Sequence, residues 1–176
     1  LGARVEQQID LFVRGPALER LFQLPAESVL TNKVVIEIEG VSYPTFYVMQ
    51  GETIASVAIE ATGVGGYGGD IVMLFGVDLT DDSFLGMEVV SHSETPGLGA
   101  LIVEPPFRSQ WQGLSATETV ALSRDGGAVD ALTGATFTSG AAMDGTNRVV
   151  NLIASHRDEF IRAITEQRSA TGEETG

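Results

Sequence analysis

The stretch that most constrains this chain is Asp130–Ser139, which reads Asp-Ala-Leu-Thr-Gly-Ala-Thr-Phe-Thr-Ser. Hydroxyls stand at Thr133, Thr136, Thr138 and Ser139, and Gly134-Ala135 keep the backbone between them bare. Directly after it, Ala141, Ala142, Met143, Thr146, Val149, Val150 and Ile153 recur at helical spacing. The stretch therefore reads as a polar loop feeding a long helix, predicted from about Ser139 towards Ile164. Thr138 or Ser139 can cap that helix, because a side-chain hydroxyl accepts from the unpaired amides of a first turn. Those amides and the helix dipole also suit a phosphate group. Capping needs one hydroxyl, and this loop offers four.

The chain before it alternates between turns and short apolar runs. Arg4–Leu24 has Val5, Ile9, Phe12, Val13, Leu18, Leu21 and Phe22 near one helical face, with Gly15-Pro16 predicted to break or kink the middle. Lys33–Glu39, Tyr43–Met49, Thr53–Ala61, Asp70–Asp78 and Phe84–Ser91 read as strands, and Thr117–Leu122 as another. Gly63–Gly69 contains Gly-x-Gly-x-x-Gly, but a strand follows it where the dinucleotide fingerprint requires a helix, which excludes that reading. Glu104–Gln112 is a short helix or irregular segment, and Trp111, the only Trp, is a packing anchor. The expected fold is α+β: a mostly antiparallel sheet packed with helices and closed by the long C-terminal helix. One domain is expected over residues 1–176, with an N-terminal helical segment at 1–30 and a fraying tail at 166–176.

Composition removes whole classes of function. The 176 residues carry ten Lys plus Arg against twenty-four Asp plus Glu, a formal net charge of −14. Nucleic acid is excluded as a partner, because its phosphate backbone rewards clustered cations. With no Cys and only His92 and His156, thiolate ligation, iron–sulfur clusters and a His-rich metal site are excluded, and no metal is expected. No apolar run is long enough to span a bilayer, and no signal peptide is visible. The opening Leu1-Gly2-Ala3-Arg4 without an initiator Met reads as processed or trimmed.

A second notable block is His92-Ser93-Glu94-Thr95-Pro96-Gly97-Leu98-Gly99. Pro96-Gly97 favours a type II turn, which lets backbone approach a flat ligand closely. Glu94 and Thr95 offer polar contacts and Leu98 an apolar one, while His92 has at most a supporting role.

The order of residues in the two blocks carries a resemblance. Asp130, Thr133, Gly134, Ala135, Thr136 and Thr138 match the motif Asp-x-x-Ser/Thr-Gly-Ala-Thr/Ser-x-Thr of the FMN-binding domain family, and His92–Gly99 matches its His-x-Glu-Thr-Pro-Gly-Leu-Gly block. That family includes the G subunit of the Rnf electron-transport complex, whose glycine-rich version Gly66-Tyr67-Gly68-Gly69 resembles, and the C subunit of the sodium-pumping NADH:quinone oxidoreductase. The resemblance covers roughly Lys33 to Ile164.

It implies FMN held covalently through a phosphoester to Thr138, made by a flavin transferase that recognises Asp130. It further implies cofactor contacts from Glu94, Thr95, Gly97, Leu98, Leu132, Thr133, Gly134, Ala135 and Thr136. The implied function is electron transfer inside a membrane ion-translocating Rnf-type complex, as a redox subunit with no catalytic residues of its own. The other subunits would be its partners. The implied place is the extracytoplasmic, periplasmic face of a cytoplasmic membrane, with anchoring by a segment outside this chain. The alternatives are a stand-alone or sensory FMN module of the same fold and a subunit of the sodium-pump type.

Overall fold

A computed structural model describes residues 2–174. Five strands, β1 (Lys33–Ile38), β2 (Val41–Gln50), β3 (Thr53–Gly63), β4 (Ile71–Asp78) and β5 (Ser83–Ser91), form one antiparallel sheet in sequence order. Each connection is a hairpin, as expected of successive β-branched runs separated by turn residues. The expected antiparallel α+β architecture is present, with helices on both faces of the sheet.

The two faces divide the side chains by the period of a strand. In β3, Val57, Ile59 and Ala61 join the main core with Phe75 and Met73 of β4, while Ala58 points into a smaller core with Phe46 and Leu74. The main core is covered by α4 (Thr136–Ser155) and by Phe160 and Ile164 of α5 (Arg157–Glu174). Trp111 is fully buried there, and its indole N–H donates to Thr146 Oγ1 at 3.0 Å.

The smaller core is covered by the N-terminal segment, which departs from the expected face. Here α1 (Gly2–Ile9) runs through a π-helical turn, Asp10–Arg14, into α2 (Gly15–Phe22). Pro16 cannot donate a backbone bond and crowds the carbonyl four residues back. Widening the preceding turn relieves this, and the Gly15 N–H reaches the Asp10 carbonyl instead. The helical run thus continues through Gly15-Pro16 rather than breaking, and its phase shifts. Ala17, Leu18 and Leu21 are buried, whereas Val5 and Phe12 from the expected face are exposed.

Two further expectations are corrected. Thr117–Leu122 is not a strand. The Asn147 side chain of α4 takes the place of a partner, with Oδ1 accepting from Val120 N–H at 2.8 Å and Nδ2 donating to the Val120 carbonyl at 2.9 Å. The long helix is interrupted at His156, which leaves helical geometry and lies 2.9 Å from Glu39 through Nε2. From Glu166, where the flexible tail is expected, α5 runs on to Glu174, and Gln167 donates to the Val35 carbonyl of edge strand β1 at 2.7 Å. Thr175 and Gly176 of that expected tail lie outside the described residues.

Candidate functional site

The site lies where the loop after β3, the turn after β5 and the start of α4 meet. After β3, the Val64 N–H donates to Asp144 of α4 at 2.8 Å, which fixes the glycine-rich loop beside the helix start. After β5, the Leu98 N–H bonds the Thr95 carbonyl at 3.1 Å around Pro96-Gly97, with Gly97 at φ 77°. That positive φ at the second central position is the type II arrangement the sequence suggested, and glycine supplies it at no steric cost.

The start of α4 differs from expectation. Ala135 is its N-cap, without a side-chain cap, so Thr138 and Ser139 lie inside the first turn rather than ahead of it. Gly134 at φ 72° turns the chain into a helix that starts at Thr136, three residues before the expected start at Ser139. The hydroxyls take other work. Ser139 Oγ donates to the Ala135 carbonyl at 2.9 Å and accepts from Leu132 N–H at 3.0 Å, pinning the loop to the helix. Thr138, 1% exposed, donates from Oγ1 to Glu94 Oε1 at 2.6 Å.

Glu94 is itself buried, at 6% exposure. Its Oε1 accepts from Tyr67 N–H at 3.0 Å and its Oε2 from Gly68 N–H at 2.6 Å. Its own N–H donates to His92 Nδ1 at 3.0 Å, so His92 supports the turn. Burial alone would raise the Glu94 carboxyl. The hydrogen bonds from Thr138, Gly68 and Tyr67 hold it below the ordinary carboxylate range instead. One carboxylate thus joins all three segments.

In front of Thr138 is a cavity of about 220 Å³, lined by residues of the same three segments, from Tyr67 through Thr95, Leu98 and Gly99 to Gly134–Thr138. Its polar floor is the α4 start, where free amides and the dipole favour an anion. Its rim is apolar: Tyr67, Leu98 and Phe137 are 74%, 45% and 64% exposed. The Tyr67 and Phe137 rings stack with centroids 6.5 Å apart.

The structure brings Thr95, Leu98, Gly134, Ala135, Thr136 and Thr138 to this cavity. Glu94 stands behind Thr138 instead of facing it. Gly97 shapes the turn, Leu132 packs against the main core, and Thr133 and Asp130 are exposed on the loop. Tyr67, Phe137 and Gly99 line the cavity without having been expected there from the sequence. Phe137 occupies an unconstrained place between two hydroxyls, and Tyr67 belongs to the glycine-rich run Gly66–Gly69, whose resemblance carried no cofactor contact. Gly99 was in plain view as the end of a motif, but its role is spatial: a Cβ there would fall on Thr138 Oγ1. Among the described residues no cluster of His, Asp or Glu could hold a metal ion.

An apolar-rimmed slot with bare backbone at Gly134, a helix start for a phosphate and a buried hydroxyl at its floor fit a flavin mononucleotide. Comparison with known proteins agrees. Residues 66–151, from the glycine-rich loop through most of α4, match the FMN-binding domain model. The G subunit of the ion-translocating oxidoreductase complex of Methanosarcina acetivorans is 35% identical over 124 residues, 70% of this chain and 61% of that protein. The protein of the same name from Haemophilus influenzae is 34% identical over 178 residues, 92% of this chain and 84% of that protein. The chain thus spans about three-fifths of the Methanosarcina protein and 58% of the Vibrio parahaemolyticus one. Among solved structures, the C subunit of the Na(+)-translocating NADH-quinone reductase of Parabacteroides distasonis superposes with a TM-score of 0.66 at 21% identity, over 88% of this chain and 96% of that one. The likeness extends the fold beyond the matched domain.

Proposed function

This chain belongs to the FMN-binding domain family, and from that premise we propose that it is an electron-transfer subunit of an ion-translocating redox complex of the Rnf type. It carries FMN through a phosphoester to Thr138. The observation that carries the reading is the buried Thr138 hydroxyl on the floor of a cavity at the start of α4. FMN, when bound, supplies the exchange of one or two electrons.

The chain's own residues do the rest. The first-turn amides of α4 offer the phosphate hydrogen bonds and a favourable dipole. Leu98, Tyr67 and Phe137 exclude water from one part of the group. A cavity of about 220 Å³ is smaller than the roughly 300–1,000 Å³ of pockets that enclose a ligand. FMN held there would keep part of its surface outside, which suits exchange with a neighbouring redox centre.

The same reading includes a flavin transferase that recognises the exposed Asp130 during maturation. It includes the other subunits of the complex as partners. It places the chain at the extracytoplasmic face of the membrane, anchored by a segment outside these residues. No helix among the described residues is long and apolar enough to cross a membrane.

The test is production alongside the transferase. The protein should be yellow and stay yellow after denaturation and precipitation, and peptide mapping should find FMN less water on Thr138. Asp130→Ala should load poorly while melting normally. Flavin washed wholly into the supernatant would leave only a non-covalent site, and attachment at Thr136 or Ser139 would displace Thr138 from its role.

A further inference from the structure

Hydroxyls inside a helix usually return their proton to the carbonyl four residues back. Thr146 does so to Ala142 at 2.6 Å, Ser139 to Ala135 at 2.9 Å and Thr165 to Ile161 at 2.9 Å. Thr138 has no such partner within the helix, because Gly134 precedes it. Its proton goes instead to a carboxylate 44 residues away in sequence.

That carboxylate is held from both sides. Tyr67 and Gly68 amides fix its two oxygens, and the Glu94 backbone is tied to His92. Gly99 keeps the space between them clear: a Cβ there would lie 3.0 Å from Glu94 Cβ and would collide with Thr138 Oγ1. With its proton turned to Glu94, Thr138 keeps its oxygen lone pairs for the cavity that it lines.

The geometry points to Glu94 as the residue that orients the Thr138 hydroxyl and takes its proton when the flavin phosphoester is made, an assignment that rests on the reading of Thr138 as the attachment point. The balance is that of a phosphoryl transfer. FMN is a monoester, and its condensation with an alcohol in water needs activation, so the donor is a flavin dinucleotide, in which a pyrophosphate bridge joins FMN to a nucleoside. The Thr138 Oγ1–P bond forms as the P–O bond of the anhydride breaks. A nucleoside monophosphate leaves, the Oγ1 proton passes to Glu94 Oε1, and nothing is oxidised or reduced. Such transfers depend chiefly on positioning and electrostatics. A carboxylate 2.6 Å from the attacking oxygen is within general-base reach. The substrate protein thus brings part of the machinery for its own modification.

The experiment is steady-state transfer by the flavin transferase, with this chain as the varied substrate. Glu94→Gln keeps the shape and loses the base: kcat should fall about 100-fold while KM for the chain stays within about twofold. A Glu94 that only ties loops together would instead raise KM and leave kcat near wild type, which overturns the assignment. Should Glu94→Gln lack a cooperative melt, Glu94→Asp decides. It keeps the charge but withdraws the carboxylate by one methylene, so kcat should fall at unchanged KM, and a wild-type kcat there overturns the assignment. Mapping the wild-type product keeps the two readings apart. Flavin on Thr138 with a wild-type kcat in both variants removes Glu94 alone, whereas flavin absent from Thr138 removes both.

Discussion

At the scale of single residues, the site depends on one contact, Thr138 Oγ1 to Glu94, and on the empty space beside it at Gly99. Gly99→Ala tests the space. A methyl placed on Oγ1 must push the hydroxyl or the turn aside, which for overpacking costs about 1–3 kcal/mol. Flavin loading, read as the ratio of flavin to protein absorbance, should drop steeply, and a normal ratio would mean that the turn yields without moving Thr138. Glu94 also makes a pH prediction. Its folded-state pKa lies below that of the unfolded chain, so the unfolded state binds the proton more readily. The stability it contributes is complete at neutral pH and is lost as pH falls from the ordinary carboxylate range through the lowered folded value. Denaturation of unmodified wild type and Glu94→Gln should therefore show a stability gap at pH 7 that closes on acidification; a gap that widens would put the proton on the folded side.

At the scale of elements, the strands were legible because hairpin turns separate runs of Val, Ile and aromatic residues, and a strand's neighbours here are its neighbours in sequence. The two-sided burial of β3 was less so, since Ala58 and Glu60 interrupt its alternation towards a second core. The start of α4 was misjudged for a local reason: its first turn carries Thr136 and the exposed Phe137 in place of the apolar spacing that marks the rest. The supposed strand at Thr117–Leu122 had the right composition, but its partner is a side chain from a distant helix, which periodicity cannot announce. The pairing of Thr138 with Glu94 was invisible for the same reason, although both residues were singled out separately. The ring pair Tyr67–Phe137 joins the glycine-rich loop to this helix start across the cavity mouth. Since the Thr138–Glu94 hydrogen bond is made by neither ring, Phe137→Ala should leave covalent loading intact and expose the bound flavin. The expected sign is greater quenching of flavin fluorescence by added iodide, and equal quenching in both proteins would exclude the ring from the cofactor's surroundings.

At the scale of the whole molecule, the N-terminal segment is fastened across the outer face of the sheet by a buried ion pair. Arg14 closes the π turn, and its Nε lies 2.8 Å from Glu60 Oε1 and its Nη2 3.2 Å from Oε2, while Glu6 and Asp10 flank its Nη1 at 3.2 and 3.1 Å. Arg14 and Glu60 are 6% and 9% exposed. Their attraction largely offsets the cost of taking both charges out of water, so the pair itself adds little net stability. Removing one partner is different, because the other is left charged and without its match. Glu60 lies on β3, directly behind the strand end that leads to Gly63 and the cavity loop. Arg14→Ala should therefore destabilise the protein by about 3–5 kcal/mol. Replacing both, as Arg14→Met with Glu60→Leu, should restore most of that loss, since the site then buries two apolar side chains beside Leu74, the cross-strand partner of Glu60. Urea denaturation of the wild type, the single and the double variant measures the cycle directly. A double variant no more stable than Arg14→Ala would show that Glu6, Asp10 and Lys33, which lies 3.7 Å from Asp10, make the cluster a network whose remaining charges need Arg14 as much as Glu60 does.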